Sequence, residues 1–157
     1  MNLLSLNLLL ALLWAAVTGT VTLANLAVGF LIGTGVLAVV GRAVGDIGYL
    51  SRLFRGLGLA LFFLWELLVS SFRVAWDVIT PRHNMSPAVV AVPLDVSSDA
   101  EITLLANLIS LTPGTLSLDV SEDKKTLFVH AMYVDDADAF RRSIKHDFER
   151  RVRGVMT

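Results

Sequence analysis

The sequence predicts a membrane α-helical N-terminal part of three helices, followed by a small α+β domain with the element order β-α-β-β-α. Hydrophobic residues make up 55% of the 157 residues, and the mean hydropathy of +0.68 is too apolar for a purely water-soluble chain. Charge is also unevenly distributed. Residues 1–80 contain four Lys or Arg and three Asp or Glu, whereas residues 81–157 contain nine and eleven. We therefore expect transmembrane helices within 1–80 and a soluble α+β domain over 81–157.

Three apolar segments within the first 80 residues predict the membrane helices, at about 3–17, 21–40 and 57–79. A membrane span needs about 20 apolar residues, so the first segment is short and the other two are long enough. Thr18-Gly19-Thr20 predicts a tight turn between the first two. No Lys or Arg precedes Arg42, and a signal peptide would need a basic start and an apolar core of only about 7–15 residues. We therefore expect retained membrane structure.

Small residues recur at helical spacing in the first two predicted helices. Gly29 and Gly33 form a GxxxG pattern in the segment "GFLIG". In lipid, small side chains favour helix association because they let two backbones approach closely. The pattern therefore predicts helix packing at Gly29 and Gly33. The alternative is that glycine and alanine are simply common in membrane helices.

The third predicted helix carries polar residues at spacings of four, three and four: Glu66, Ser70, Arg73 and Asp77. This spacing places them on one face of a helix. Glu66 would lie near mid-membrane, where a charge costs about 2.5–3.5 kcal/mol on insertion scales, so it should face protein or water. One interpretation is an ion-path or subunit-contact face. The other is a purely structural hydrogen bond from Glu66 to a neighbouring helix.

The soluble half begins with a predicted strand at Ala88–Leu94, in which Pro93 indicates an edge or a bulge. A helix follows, because Ser98 and Glu101 fit a capping box ahead of an apolar stripe. The helix ends before the predicted type II turn Thr112-Pro113-Gly114-Thr115, in which proline fixes φ and glycine takes a positive φ.

Two strands and a last helix complete the prediction. Alternation in "TLSLDVS" predicts that Leu116, Leu118 and Val120 share one face of a strand. "TLFVHAMYV" predicts the returning strand. Asp135 or Asp136 is expected to cap the last helix. Its apolar residues are spaced at i+4: Phe140, Ile144, Phe148 and Val152. Three strands with both helices on one face form a small α+β layer.

The sequence contains no recognisable catalytic constellation, metal site or cofactor motif. There is no cysteine, and the three histidines, at 83, 130 and 146, lie in unrelated predicted elements. Asp135, Asp136 and Asp138 lack the EF-hand pattern that calcium would require. Glycine-rich phosphate loops and a nucleophile elbow are also missing. The net charge of −1 gives no electrostatic case for nucleic acid. We therefore do not expect an enzyme.

The chain as a whole resembles the E subunit of the Mrp (Mnh, Pha) multisubunit monovalent cation/proton antiporters of bacteria. Three segments carry the resemblance: "VGFLIG" at 28–33, "LFFLWELLVSSFRVAWDVI" at 61–79, and "EITLLANLISLTPGTLSLDVSEDKKTLFVHAM" at 101–132. The resemblance implies an accessory protein of such a complex in the bacterial plasma membrane. Its partners would be the other subunits of a complex that exports sodium in exchange for protons, and the lipid bilayer.

The resemblance also implies that the C-terminal domain is cytoplasmic. With three spans, the N-terminus and the C-terminal domain lie on opposite sides of the membrane, so the N-terminus would be outside, and so would the loop at 41–56. The three arginines of this loop instead favour the cytoplasm under the positive-inside rule. We expect the orientation that the family implies.

The alternative function is a membrane-anchored binding or regulatory module that is not part of a transporter.

Overall fold

The computed structural model describes residues 3–44, 48–80 and 85–156. The chain divides into two compact units, Met1–Phe54 and Arg55–Thr157. Three residues used in the predictions lie outside the described ranges. They are Asp46 in the 41–56 loop, Pro81 at the domain boundary and His83. The fold combines a helical N-terminal part with a small three-stranded sheet and its helices at the C-terminal end.

The first unit contains an antiparallel pair of helices, α1 at Leu3–Val17 and α2 at Leu23–Val44. α1 has the predicted bounds, whereas α2 begins two residues later and ends four residues later than predicted. Gly19 in the connection has a φ of +68°, a conformation that glycine adopts without steric cost. The predicted turn at Gly19 is therefore confirmed.

Polar side chains join α1 to α2. Asn7 is fully buried and donates a hydrogen bond of 2.8 Å to the hydroxyl of Thr34. The indole of Trp14 donates to the amide oxygen of Asn25 over 3.0 Å, and Asn25 itself donates to the carbonyl of Thr20. Where water is scarce, such bonds hold two helices together and fix their register.

The third helix, α3, extends over Gly48–Ile79, so it begins nine residues before the predicted start at 57. The loop predicted over 41–56 is thus helical up to Val44 and again from Gly48, whereas the membrane span at about 57–79 stays a prediction. Arg52 and Arg55 instead continue the polar face of the helix, so the amphipathic pattern extends further towards the N-terminus. By length and composition, the stretches Leu23–Val40 and Ser51–Ile79 could each cross a membrane, and Leu3–Val17 is shorter.

The second unit continues from α3 into the α+β domain. Its elements are β1 at Ala88–Pro93, α4 at Asp99–Leu111, β2 at Thr115–Val120, β3 at Thr126–Ala131, α5 at Ala137–Ser143, a π-helical segment at Ile144–Glu149 and α6 at Arg150–Met156. The strands are antiparallel in the order β1-β3-β2. Pro93 therefore lies on an edge strand, as predicted.

The helices pack on one face of this sheet. Inward-facing residues of β1 and β3, such as Val92 and Leu127, are fully buried against the apolar stripes of the helices. Leu105 and Ile109 come from α4, and Val152 from α6. Burial of these side chains supplies the main stabilisation of the domain, at about 1.5–3 kcal/mol for each large one.

A bulge in β2 overturns the prediction that Leu116, Leu118 and Val120 share one face. The pairing with β3 shifts between Ser117 and Asp119, so Leu118 is the extra residue. Leu116 and Leu118 are about half exposed, while Val120 packs against the core. A bulge reverses the side-chain alternation that follows it, and the sequence pattern did not reveal it.

The last helix contains a π-helical segment that the sequence did not predict. In a regular α-helix, a strict i+4 repeat drifts around the axis because four residues exceed one turn of 3.6. The wider π turn offsets this drift. Ile144, Phe148 and Val152 consequently all remain on the buried face. Asp136 caps the start of this helix by accepting a hydrogen bond from the backbone N–H of Asp138.

Candidate functional site

A cavity of about 390 Å³ lies between α3 and the helix–strand turn of the α+β domain. We call it the polar cavity. Its lining includes three residues of the predicted α3 face and all four residues of the predicted turn: Glu66, Ser70, Arg73, Thr112, Pro113, Gly114 and Thr115. Tyr133, Asp135 and Asp136 also line it. Two sets of residues that the sequence singled out separately therefore meet at one place.

The polar face of α3 contacts the domain through Tyr133. The phenol of Tyr133 donates a hydrogen bond to the carboxylate of Asp77, which is buried. The guanidinium of Arg73 lies 5.5 Å from the centroid of the Tyr133 ring, within the range of a cation–π interaction. The hydrogen bond to Asp77 raises the pKa of the Tyr133 phenol above its ordinary value. Asp77 thus fixes the hydroxyl of Tyr133, and Arg73 contacts the face of its ring.

Ser70 is satisfied within α3 itself, because its hydroxyl donates to the carbonyl of Glu66 over 2.5 Å. The Glu66 side chain is half-buried and lines the polar cavity. All four residues of the predicted face therefore lie on the side of α3 that faces the domain, and the contacts with Tyr133 make it an intramolecular contact within the second unit.

The turn that forms the opposite wall is built by local hydrogen bonds. The N–H of Thr115 donates to the carbonyl of Thr112 over 3.1 Å, and the Thr115 hydroxyl donates to the carbonyl of Ile109 over 2.5 Å. Gly114 has a φ of +91°, which confirms the positive φ predicted from the Pro-Gly pair. A Cβ at Gly114 would lie 3.3 Å from the Tyr133 ring, so glycine also lets this ring approach the turn.

Gly29 and Gly33 lie in the first unit, where α2 packs on α1. A Cβ at Gly29 would lie 2.9 Å from the Cβ of Trp14 and 3.0 Å from backbone atoms of Ala11. A Cβ at Gly33 would overlap the side-chain oxygen of Asn7. Both glycines therefore stand at close approaches between the two helices, and neither belongs to the polar cavity.

Sequence reasoning missed Tyr133 and Glu149. Tyr133 lies just after β3, at the end of a predicted strand. Its phenol hydroxyl among apolar neighbours was the only feature of the sequence that could have indicated a polar contact. Glu149 is buried in the π-helical segment, and its carboxylate accepts hydrogen bonds from the backbone N–H groups of Asp95 and Val96 at 2.6 and 3.0 Å. These partners lie more than 50 residues away in the sequence, so no local pattern indicates them.

Beside Glu149, Asp95 forms an ion pair of 2.7 Å with Lys145. This hydrogen-bonded ammonium holds the pKa of the Asp95 carboxyl below its ordinary value. Asp95 is more than half exposed and Lys145 about one third, so solvent screens the pair and limits its contribution to stability.

Neither histidine in the described ranges adjoins the polar cavity, since His130 lies in β3 and His146 in the π-helical segment. Over residues 3–44, 48–80 and 85–156, no group of three or more His, Asp or Glu side chains could hold a metal ion. What the arrangement offers is a set of charges and hydrogen bonds that join α3 to the domain.

Comparison with known proteins identifies the family. The family model MNHE, described as Na+/H+ ion antiporter subunit, matches residues 7–155. The E subunit of the Na+/H+ antiporter of Alkalihalophilus pseudofirmus is 36% identical over 94% of this chain and 93% of that protein. The protein of the same name from Bacillus subtilis is 33% identical over 96% and 95%.

A solved structure shows the same fold. A chain of the membrane-bound sulfane sulfur reductase, an archaeal respiratory membrane complex, is similar with a TM-score of 0.62 and 24% identity over 98% of both chains. At this identity the likeness concerns the fold alone. Together with the match of the family model over residues 7–155, the relatives show that this chain belongs to the family of Na+/H+ antiporter E subunits.

Proposed function

We propose that this chain is an accessory membrane subunit of a multisubunit Na+/H+ antiporter, and that its α+β domain is cytoplasmic and helps to hold the complex together. Family membership over nearly the whole chain supports the transporter assignment. The partners are then the other antiporter subunits and the lipid bilayer.

The single observation that favours a structural role is the partnering of the α3 polar face. Asp77 and Arg73 both contact Tyr133, and Ser70 bonds to its own helix. An ion path needs polar groups that are free to exchange partners with the moving ion. Three of the four residues here are instead engaged in fixed contacts within the second unit, so this face serves to position the domain on α3.

Glu66 allows the structural and ion-path roles to be separated. Glu66→Gln keeps the shape and hydrogen-bonding capacity but removes titration, whereas Glu66→Leu removes both. With a structural role, the Gln variant should assemble and exchange Na+ for H+ at near-normal rates, and the Leu variant should lower the yield of complex. Antiport in everted membrane vesicles, normalised to complex content, measures this. A Gln variant that assembles fully but transports poorly would contradict the structural role.

Membership of a complex is tested separately by co-purification. A tagged copy of the chain, extracted in mild detergent, should bring down large polytopic subunits that mass spectrometry identifies as antiporter components. Gly58→Ala is the matched control for the Glu66 variants on α3. Position 58 is exposed, and nothing lies within 4 Å of the added Cβ. Recovery of the chain alone under conditions that preserve antiport would contradict the proposed function.

A further inference from the structure

α3 differs from α1 and α2 in how its charges are arranged. Its five charged residues are Arg52, Arg55, Glu66, Arg73 and Asp77. At about 100° per residue, all five fall within an arc of about 60° around the helix axis. The opposite side presents a row of exposed apolar side chains, including Leu57, Leu61, Leu64, Leu68, Phe72 and Ile79. α3 is therefore amphipathic along its whole length.

The α+β domain packs along the polar side of α3. Leu59 is buried in the domain core, and the ring of Phe62 packs edge-on against Phe148 at a centroid distance of 5.3 Å. Near the other end of the helix, Tyr133 bonds to Asp77. The contact thus runs from residue 59 to residue 77, which is about 27 Å along the helix at 1.5 Å per residue.

This long contact conflicts with a membrane-spanning α3. Residues 81–157 carry nine Lys or Arg and eleven Asp or Glu, and each charge placed at the bilayer centre costs about 2.5–3.5 kcal/mol. The domain must therefore remain in water. A helix that lies along this domain for about 27 Å cannot at the same time cross the hydrocarbon core.

The exposed side of α3 still needs an apolar environment, and a lipid bilayer supplies one. Trp65, Phe72 and Trp76 are exposed on or beside the apolar side, and tryptophan favours the membrane–water interface. Arg52 can reach lipid phosphates from such a position.

We propose that α3 is an interfacial helix: it lies in the plane of the membrane surface, with its apolar side in the lipid headgroup–acyl boundary and its polar side against the α+β domain. The membrane is then crossed by α1 and α2 alone, and the bilayer thins around the 15-residue α1, as it does for short apolar helices. An even number of spans places the N-terminus, the segment 41–56 and the domain on the same side. If that side is the cytoplasm, as the proposed function has it, Arg42, Arg52 and Arg55 all satisfy the positive-inside rule.

Depth measurements on the assembled complex test this proposal. The chain has no cysteine, so single cysteines carrying a nitroxide spin label can be placed in turn at Leu57, Leu61, Leu64, Leu68 and Phe72. The complex is reconstituted in lipid vesicles, and power saturation of the spin label with oxygen and a water-soluble nickel complex reports each depth. Leu31, exposed on the middle of α2, is the deep control, and Ser97, exposed on the domain, is the water control.

An interfacial α3 predicts one common, shallow depth of about 5–10 Å for all five labels. A spanning α3 predicts a depth that increases towards the middle of the row and then decreases, which would overturn the proposal. Labels shielded from both oxygen and nickel would show that another subunit covers this side, which would also overturn it.

A second measurement does not depend on which side is the cytoplasm. Cysteines at Asn2 and at Ser97 should react with an impermeant thiol reagent from the same side of sealed vesicles. Reaction from opposite sides would restore an odd number of spans and overturn the interfacial assignment. If both cysteines react on the side of the vesicle membrane that faces the cell exterior, only the cytoplasmic orientation in the proposed function is contradicted.

Discussion

Tyr133, just after β3, donates a hydrogen bond from its phenol to the carboxylate of Asp77 on α3, a partner 56 residues earlier in the chain. This bond ties the last part of α3 to the wall of the polar cavity. The contact depends on pH because the Tyr133 phenol can donate this bond only while it is protonated.

The bond raises the pKa of Tyr133, so its stabilisation should be fully present below the ordinary tyrosine pKa of about 10. It should be lost as the pH rises through the higher native value. The chain has only two tyrosines, so a titration that follows the ultraviolet absorbance of the phenolate can resolve Tyr133 by subtraction of a Tyr133→Phe variant. Asp77→Asn should return the Tyr133 pKa towards its ordinary value. An unchanged titration in Asp77→Asn would contradict the contact.

Gly114 should tolerate no branched side chain. Gly114→Val places a β-branched residue at a φ of +91°, at a cost of about 1–2 kcal/mol for the left-handed backbone, and its Cβ would press on the Tyr133 ring. We expect a lower unfolding midpoint for the purified full chain in detergent and a reduced yield of complex. Pro113→Gly should cost less, about 0.4–1 kcal/mol. Equal stability of Gly114→Val and wild type would show that the turn can rearrange.

Gly33 and Gly35 form a matched pair on α2. A Cβ at Gly33 would overlap the Asn7 side chain, whereas a Cβ at Gly35 meets nothing within 4 Å. Gly33→Ala should therefore destabilise the α1–α2 pair by about 1–3 kcal/mol, as overpacking does. Gly35→Ala should be neutral or slightly stabilising. Titration of the full chain with denaturing detergent, followed by circular dichroism, compares the two. Similar losses in both variants would count against close packing at Gly33.

Glu149 should stabilise the loop between β1 and α4. Its carboxylate accepts hydrogen bonds from the backbone N–H groups of Asp95 and Val96, and bonds to charged groups contribute about 1.5–3 kcal/mol each. Glu149→Ala should lower the unfolding midpoint markedly, because it leaves these donors without their acceptor. Glu149→Gln, which retains an acceptor oxygen, should lose less.

Asp147→Ala is the control for Glu149, because Asp147 lies on the same helical segment and is about half exposed. Its ion pair with Arg151 should contribute less than about 1 kcal/mol. Thermal unfolding of the three variants, measured under one set of detergent conditions, orders their effects. A Glu149→Ala variant as stable as Asp147→Ala would show that the loop does not depend on the carboxylate.

Features that rest on local patterns could be predicted from the sequence. The apolar segments, the capping box at Ser98 and Glu101, the cap at Asp136 and the positive φ of Gly114 all depend on residues within a few positions of one another. Backbone sterics and hydrogen bonding between near neighbours are nearly independent of the rest of the fold. The i+4 spacing of the last helix was likewise visible, although the π-helical segment that keeps its apolar residues in line was not.

Relations between distant parts of the chain could not be predicted, because they depend on how the elements pack in three dimensions. The order β1-β3-β2 and the bulge at Leu118 depend on which strands pair and in which register. The meeting of Tyr133 with Asp77, and of Glu149 with the loop before α4, joins residues more than 50 positions apart. Amphipathicity alone cannot tell whether the polar side of α3 faces water, lipid-embedded partners or its own chain. The α+β domain settles that question by packing against this polar side, where its charges and hydrogen bonds find their partners.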